Sequence, residues 1–305
     1  MSGRRQAARR SPEQAPAAAV NGVIDLRLPS CQSAPLIFAS PHSGTRYDPA
    51  FIASSRLDEK NLRRSEDSFV DEIFAAAPKS GAPLLCALYP RAYLDPNREP
   101  YELDPEMFTE PLPSHVKSRS DRVRAGFGTI ARLVASGAEI YEAKMPYAEA
   151  ERRIDELYRP YHRALEGLIE TTLRDFGAAF LFDCHSMPSV GGPTDRDRGT
   201  PRPDIVLGDR FGASCEPRVI ETAERILRDL DFSVRRNEPY AGAFTTAHYG
   251  RPGQRVHAIQ IEVNRRLYMN EATVARSRDL PRLKRKMNRF IAAMAEESLT
   301  LVETL

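Results

Sequence analysis

The sequence predicts an α/β protein, one layered domain of about six strands with flanking helices. Three observations lead there. The run Phe180-Leu181-Phe182 stops abruptly at Asp183-Cys184-His185-Ser186, as a buried strand does on reaching a polar edge. Leu36-Ile37-Phe38-Ala39-Ser40 repeats the device and ends in Pro41-His42-Ser43-Gly44. Stretches of helical period alternate with such runs, which is the order of a layered α/β fold. In open α/β sheets ligands bind in the crevice at the carboxyl ends of strands. His42 and His185, far apart in sequence, are therefore expected to converge and share a metal ion.

Residues 1–20 are rich in Arg, Ala, Pro and Gln and offer little to bury, so a disordered basic tail is expected there. That leaves 21–305 as the single catalytic domain. After the strand Leu36–Ser40, a helix is expected over 66–77, where Phe69, Val70, Ile73 and Phe74 recur at helical spacing. Ser65, Glu66 and Asp67 suit its start, where side-chain oxygens cap free amides. Residues 83–88 read as a second strand leading into Tyr89-Pro90-Arg91-Ala92-Tyr93-Leu94-Asp95-Pro96-Asn97-Arg98, a loop whose two prolines fix its geometry. The Pro- and Glu-rich stretch 99–120 reads as a long surface loop.

Helical periodicity over 146–176 carries Tyr158, Tyr161, Leu165 and Leu168 on one stripe; Pro160 should kink or split it. Gly177 closes that helix before a strand at 178–183. A Gly- and Pro-rich loop at 190–203, a strand at 204–208, a helix at 217–230 and a strand at 232–234 continue the alternation. Residues 237–250, polar and small, read as a loop. The strand at 256–263 has unlike faces: Ile259, Ile261 and Val263 point one way, Ala258, Gln260 and Glu262 the other. An amphipathic helix at 280–299 ends the chain, and no internal repeat is present.

Composition bounds the function. With 305 residues, 41% hydrophobic and 28% charged, the chain can bury a large core. A net charge of +2 supplies no strong field toward nucleic acid or a membrane. Cys31, Cys86, Cys184 and Cys215 form no CxxC pair, so free thiols in a reducing cytoplasm are expected. No run of 18 apolar residues predicts a membrane span, and the N-terminus lacks the apolar core of a signal peptide.

The candidate chemistry is hydrolytic. A catalytic zinc takes three His or carboxylate ligands and keeps a position open for water. His42 and His185 supply two, and the third falls to Asp67 or Glu66. Such a site still needs a proton carrier. Glu262 is the candidate, because a carboxylate amid an apolar strand is costly to bury unless it is paired or functional. The alternative for Glu262 is an ion pair with Arg265. Arg91 and Arg98 on the proline-bounded loop could bind carboxylates in bidentate fashion or stabilise an oxyanion. A non-enzymatic anion binder using the arginines alone, or a Cys184 or Ser186 nucleophile, are the rival readings.

Seven blocks in order over about residues 35–275 carry a resemblance. They are Ser40-Pro41-His42-Ser43-Gly44; Asp67 with Val70-Asp71; Arg91 with Asp95-Pro96-Asn97-Arg98; Arg159-Pro160-Tyr161-His162; Phe182-Asp183-Cys184-His185-Ser186; Ala247-His248-Tyr249-Gly250; and Gln260-Ile261-Glu262 with Tyr268-Met269-Asn270-Glu271. Together they resemble the N-formylglutamate amidohydrolase family, itself similar to zinc carboxypeptidases and to the succinylglutamate desuccinylase/aspartoacylase group. The resemblance implies a mixed β-sheet flanked by helices on both faces, zinc-carboxypeptidase-like (phosphorylase/hydrolase-like). It also implies one Zn2+ per chain and hydrolysis of an N-acyl amino acid, foremost N-formyl-L-glutamate.

Residue by residue, it implies His42, Asp67 and His185 as metal ligands, with Glu66 the competitor of Asp67. It implies Glu262 as general base and Arg91 as the residue that polarises the acyl carbonyl. Asn97 and Arg98 become a clamp on the α-carboxylate, and His248, Thr245 and Thr246 become pocket residues. The sequence departs from the family pattern at Asp95-Pro96-Asn97-Arg98, where Asp-Leu-Asn-Arg is usual. It departs again at Phe244-Thr245-Thr246, where a Tyr-Ile-Thr-Arg-like run is usual. The second departure removes an arginine that could meet the side-chain carboxylate of a glutamate substrate.

Overall fold

The most apolar run in the sequence becomes the middle of the sheet. The computed structural model describes residues 22–134, 137–192 and 195–305, so the expected tail at 1–20 lies outside the described residues. Seven strands form one sheet: β1 Ile24–Arg27, β2 Leu36–Ser40, β3 Leu84–Ala87, β4 Ala179–Met187, β5 Ile205–Gly208, β6 Val234–Arg236 and β7 Val256–Asn264. Their order is β1-β3-β2-β4-β7-β5-β6. β3, β2, β4 and β7 run parallel, while β1 is antiparallel to β3 and β5 to β7. The sheet is therefore mixed. β1 is the strand that the sequence pattern does not announce, because only its Ile24 is buried.

Helices cover both faces. They are α1 Pro49–Ala53, α2 Glu59–Leu62, α3 Val70–Ile73, α4 Asp121–Arg124, α5 Tyr147–Arg153, α6 Arg159–Phe176, α7 Pro217–Asp229, α8 Phe244–Tyr249 and α9 Leu280–Thr304. Alternation along the strands sends Phe38, Phe180, Phe182, Ile259 and Ile261 to the face packed by α3, α7 and α9. Ile37, Ala39, Leu181 and Ala258 face α6 through Tyr161, Leu165 and Leu168. Every residue of β2, β4 and β7 is buried, as expected of parallel strands covered on both sides.

Four local expectations change. The helix placed at 66–77 contracts to α3, because Phe69 adopts a left-handed φ of 68° and Glu66 is extended. β4 runs on to Met187, so His185 lies within the strand and not just after it. The strand at 232–234 moves to Val234–Arg236. Part of the loop at 237–250 is the helix α8. The break expected at Pro160 takes the form of a π-helical turn, Ile154–Tyr158, in which Arg159 N–H donates to the Ile154 carbonyl. The wider turn accommodates a proline that has no N–H and would crowd the preceding turn. No helix among the described residues is long and apolar enough to cross a membrane.

The core makes one demand testable by unfolding. The Phe182 ring is fully buried, stacks on Phe38 at 5.2 Å and meets Phe290 edge-on at 5.7 Å. Phe182→Ala should cost about 3–5 kcal/mol through lost burial and the cavity left behind. A urea titration monitored by circular dichroism checks it; a loss under about 1 kcal/mol would contradict this packing.

Candidate metal-centred active site

Strand register sets the floor of the site. In the parallel β4–β7 pair, Asp183 lies beside Gln260 and His185 beside Glu262, so all four side chains leave the same sheet face. That face belongs to α6 where it carries Leu181 and Ala258; further along the strands it opens into a cavity of about 460 Å³. His42 follows β2 by two residues in a tight turn held by a Ser40–Ser43 hydroxyl bond of 2.9 Å. Gly44 cannot carry a side chain there, since a Cβ would lie 2.1 Å from the Tyr89 carbonyl oxygen. The Asp67 amide donates to the His42 carbonyl at 3.0 Å, which brings the acidic segment to the same corner.

At that corner three side chains meet. Asp67 Oδ2 lies 3.2 Å from His42 Nδ1 and 2.9 Å from His185 Nδ1, and the ring centroids are 4.7 Å apart. The opposite nitrogen of each ring also faces a carboxylate: His42 Nε2 lies 2.7 Å from Asp95 Oδ1, and His185 Nε2 lies 2.9 Å from Asp183 Oδ2. A neutral imidazole has one N–H. If each ring donates it to its outer carboxylate, two Nδ1 lone pairs and an anionic oxygen point at one another in a buried space. Only positive charge reconciles them.

The titration tendencies agree. Burial opposes charge on Asp67, yet hydrogen bonds and charge from His185 and His42 hold its carboxyl well below the usual range. Burial likewise opposes a charged His185, yet Asp183 and Asp67 raise it well above the ordinary imidazole value. The donor set of two imidazole nitrogens and one carboxylate oxygen, all within 4.8 Å of one another, could hold a metal ion. Donor atoms around a tetrahedral zinc lie about 3.3 Å apart, so the residues fit such an ion. Glu66 is turned elsewhere: its carboxylate accepts from Tyr47 Oη at 2.8 Å, Arg63 Nε at 3.1 Å and Ser68 Oγ at 2.7 Å.

Around the cluster stands a second ring of contacts. Asp67 Oδ1 accepts from Ser186 Oγ at 3.0 Å and Arg265 Nη2 at 3.2 Å, and the same guanidinium donates to the Glu66 carbonyl. Arg91 Nη2 donates to Asp95 Oδ2 at 2.7 Å. The Asn97 amide is taken up at both ends, with Nδ2 at 2.9 Å from Asp183 Oδ2 and Oδ1 accepting from the Thr245 N–H at 2.8 Å. Arg98 donates to the Phe127 and Asn97 carbonyls and stands 3.9 Å from Asp95. Glu262 accepts from Gln260 Nε2 at 2.8 Å, and burial pushes its carboxyl up to about 7, with the Asp67 charge adding to the effect. The ion pair of Glu262 with Arg265 does not form; Arg265 spends its hydrogen bonds on Asp67, Ser186 and Glu66.

The cavity wall thus brings together His42, Asp67, Arg91, Asn97, Arg98, His185 and Glu262. It does not include Thr245, Thr246 or His248. Those three ride on α8, where Thr246 Oγ1 caps back to the Ala243 carbonyl and the exposed His248 ring stacks on Phe244 at 4.9 Å. Cys184 faces the opposite core with its thiol 3.4 Å from the Phe182 carbonyl, and burial raises its pKa well above the ordinary thiol value, which excludes it as a nucleophile.

Several contributors escaped sequence reasoning. Asp95 and Asp183 stood within recognised blocks without being singled out, although each could have been suspected as the partner of a neighbouring His or Arg. His162 bridges the Pro96 carbonyl and Tyr249 Oη at 2.8 Å each, and burial lowers it to about 4, so it stays neutral and pins the loop.

Known proteins share this arrangement of chain. The pattern of the N-formylglutamate amidohydrolase family matches residues 34–269. The N-formylglutamate deformylase of Pseudomonas aeruginosa is 31% identical over 240 residues, which span 78% of this chain and 83% of that protein. The N-formylglutamate deformylase of Pseudomonas putida is 27% identical over 241 residues, or 78% and 82% of the two chains. A crystal structure of N-formylglutamate amidohydrolase from Ralstonia eutropha JMP134 superposes with a TM-score of 0.83 at 37% identity, covering 90% of this chain and 98% of that one.

The two adjacent acids separate in one experiment. Asp67→Asn should abolish retention of a divalent cation, whereas Glu66→Gln should leave it. Metal content after dialysis, by plasma mass spectrometry, reads the difference; equal retention by both variants would remove Asp67 from the cluster.

Proposed function

The chain belongs to the N-formylglutamate amidohydrolase family, and on that premise we propose that it is a zinc-dependent amide hydrolase converting N-formyl-L-glutamate to formate and L-glutamate. The observation that carries the reading is the meeting of His42, Asp67 and His185 in a cavity that also holds Glu262 and two arginines of the 91–98 loop. Zinc suits two imidazoles and one carboxylate, and when bound it supplies Lewis-acid polarisation of the acyl carbonyl and a lowered pKa for water.

The chain's own groups do the rest. Glu262 accepts a proton from the attacking water as its oxygen bonds to the formyl carbon. It then delivers that proton to the amide nitrogen as the C–N bond breaks. A carboxylate raised toward 7 is matched to both halves of this transfer. Arg91, anchored by Asp95, turns its charge toward the oxygen on which negative charge develops. Arg98 takes the α-carboxylate, and Asn97, engaged at both ends, sets the geometry of the loop that carries it. Asp95 and Asp183 fix the orientation of the two imidazoles. The four unpaired cysteines suit a reducing cytoplasm.

A second reading keeps the machinery and changes the substrate to another N-acyl amino acid. Its support is the Phe244-Thr245-Thr246 segment, which offers no arginine to a second carboxylate. A panel of N-formyl, N-acetyl and N-succinyl amino acids, with and without a chelator, decides between them. The expected result is chelator-sensitive release of formate, fastest from N-formyl-L-glutamate; turnover indifferent to chelation would overturn the metal-dependent mechanism.

Glu262→Ala should lower kcat by about 10²- to 10⁴-fold while metal content stays at the wild-type level. His185→Ala should lose both. Steady-state kinetics paired with metal analysis checks them, and an active Glu262→Ala enzyme would strip Glu262 of its role.

A further inference from the structure

Four arginines line the cavity, namely Arg91, Arg98, Arg122 and Arg265. Arg91 and Arg265 are occupied by Asp95 and Asp67. Arg98 is partly occupied by two backbone carbonyls. Arg122 alone among them makes no side-chain hydrogen bond or ion pair with a described residue. It is half-buried, and its charge is one of those that, after burial, depress Arg98 to about 10. Two like charges thus share one cavity wall, with Asp95 standing 3.9 Å from Arg98.

They are also held firmly. Ser120 caps α4 by accepting from the Val123 N–H, and the Arg122 carbonyl accepts from the Phe127 N–H at 2.8 Å. The Phe127 carbonyl in turn accepts from Arg98 Nε. Phe127, Ala131 and Leu133 from the same stretch give the cavity an apolar wall. Against the four arginines the wall sets four acids, Asp67, Asp95, Asp195 and Glu262. Asp67, Asp95 and Asp195 are paired with Arg265, Arg91 and Arg202, so none of these acids is paired with Arg122.

We infer that Arg122 determines specificity by binding the side-chain carboxylate of an acidic N-acyl amino acid, while Arg98 binds the α-carboxylate. The two carboxylates sit on Arg98 and Arg122, and the side-chain methylenes lie against the Phe127 and Leu133 wall. The inference rests on the proposed hydrolysis of N-acyl amino acids and names the residue that makes the reaction prefer glutamate.

The test compares N-formyl-L-glutamate with its uncharged isostere N-formyl-L-glutamine. For Arg122→Gln, the ratio of kcat/KM between them should drop roughly 10- to 100-fold, as loss of a charge-assisted hydrogen bond requires. The loss should lie in KM and not in kcat, with partial recovery in Arg122→Lys. A ratio within about twofold of wild type in folded Arg122→Gln would overturn the assignment. Calorimetric titration of the metal-loaded protein with glutarate and with butyrate reads the same contact without turnover. Wild type should favour glutarate, and Arg122→Gln should lose that preference; a preference retained would overturn the assignment. Should wild type hydrolyse no N-formyl amino acid, the proposed function fails, and the glutarate titration alone decides for or against Arg122.

Discussion

Two imidazole nitrogens aimed at one carboxylate oxygen, in a space from which water is largely excluded, form the constraint on which this structure turns. Such an arrangement is unstable without positive charge, because each imidazole already has an acid at its far nitrogen. Burying these two imidazoles and three carboxylates costs several kcal/mol unless each is paired. The surrounding contacts serve that pairing. Arg265 and Ser186 satisfy the second oxygen of Asp67, Arg91 the second oxygen of Asp95, and Asn97 a shared oxygen of Asp183. Without a cation the inner oxygen of Asp67 can be balanced locally by protons on the two rings, while Arg265 and Arg91 pair the outer oxygens of Asp67 and Asp95.

The sheet makes the cluster possible because its central strands differ in length. β2 ends at Ser40, whereas β4 and β7 run on for several residues beyond the register of that end. The chain leaving β2 therefore turns above a polar shelf built from Asp183, His185, Gln260 and Glu262. His42 comes down onto that shelf from the turn, and Asp67 is carried in by the bond between its amide and the His42 carbonyl. Parallel pairing without a bulge between β4 and β7 keeps His185 and Glu262 side by side. The proposed metal ligand and proton carrier thus share one rigid element pair, which holds their separation fixed far better than two loops would.

How much of this the sequence disclosed depends on how local each signal is. The two histidines and Glu262 were legible because each breaks an apolar run, and a polar residue there needs a reason. The strands around them were legible for the same cause. The choice between Glu66 and Asp67 was not, since adjacent residues in extended chain point opposite ways and the left-handed φ of Phe69 that ends the segment leaves no mark in composition. α8 was hidden among small and polar residues whose helix is stabilised by the Asn97–Thr245 bond and by packing of Tyr249 under His162. Its side chains consequently support the site from behind instead of lining it. Arg122 lies in a stretch with no periodicity at all; only the link from its backbone through Phe127 to Arg98 reveals where it stands.

That difference in legibility follows a division of labour. Of the groups proposed to act at the reacting bond, His185 and Glu262 come from β4 and β7, His42 from the turn after β2, Asp67 from the segment before α3 and Arg91 from the loop after β3. The groups proposed to face the rest of a substrate, Arg98 and Arg122, come from the 91–98 loop and from α4. Arg122 makes no hydrogen bond or ion pair with Asp67, His42 or Glu262, whereas Asp95 and Asn97 of the 91–98 loop touch His42 and His185 directly. The proposed chemistry thus draws both on the sheet, through His185 and Glu262, and on the loops above it, through His42, Asp67 and Arg91, while the proposed preference for a substrate draws on the loops alone.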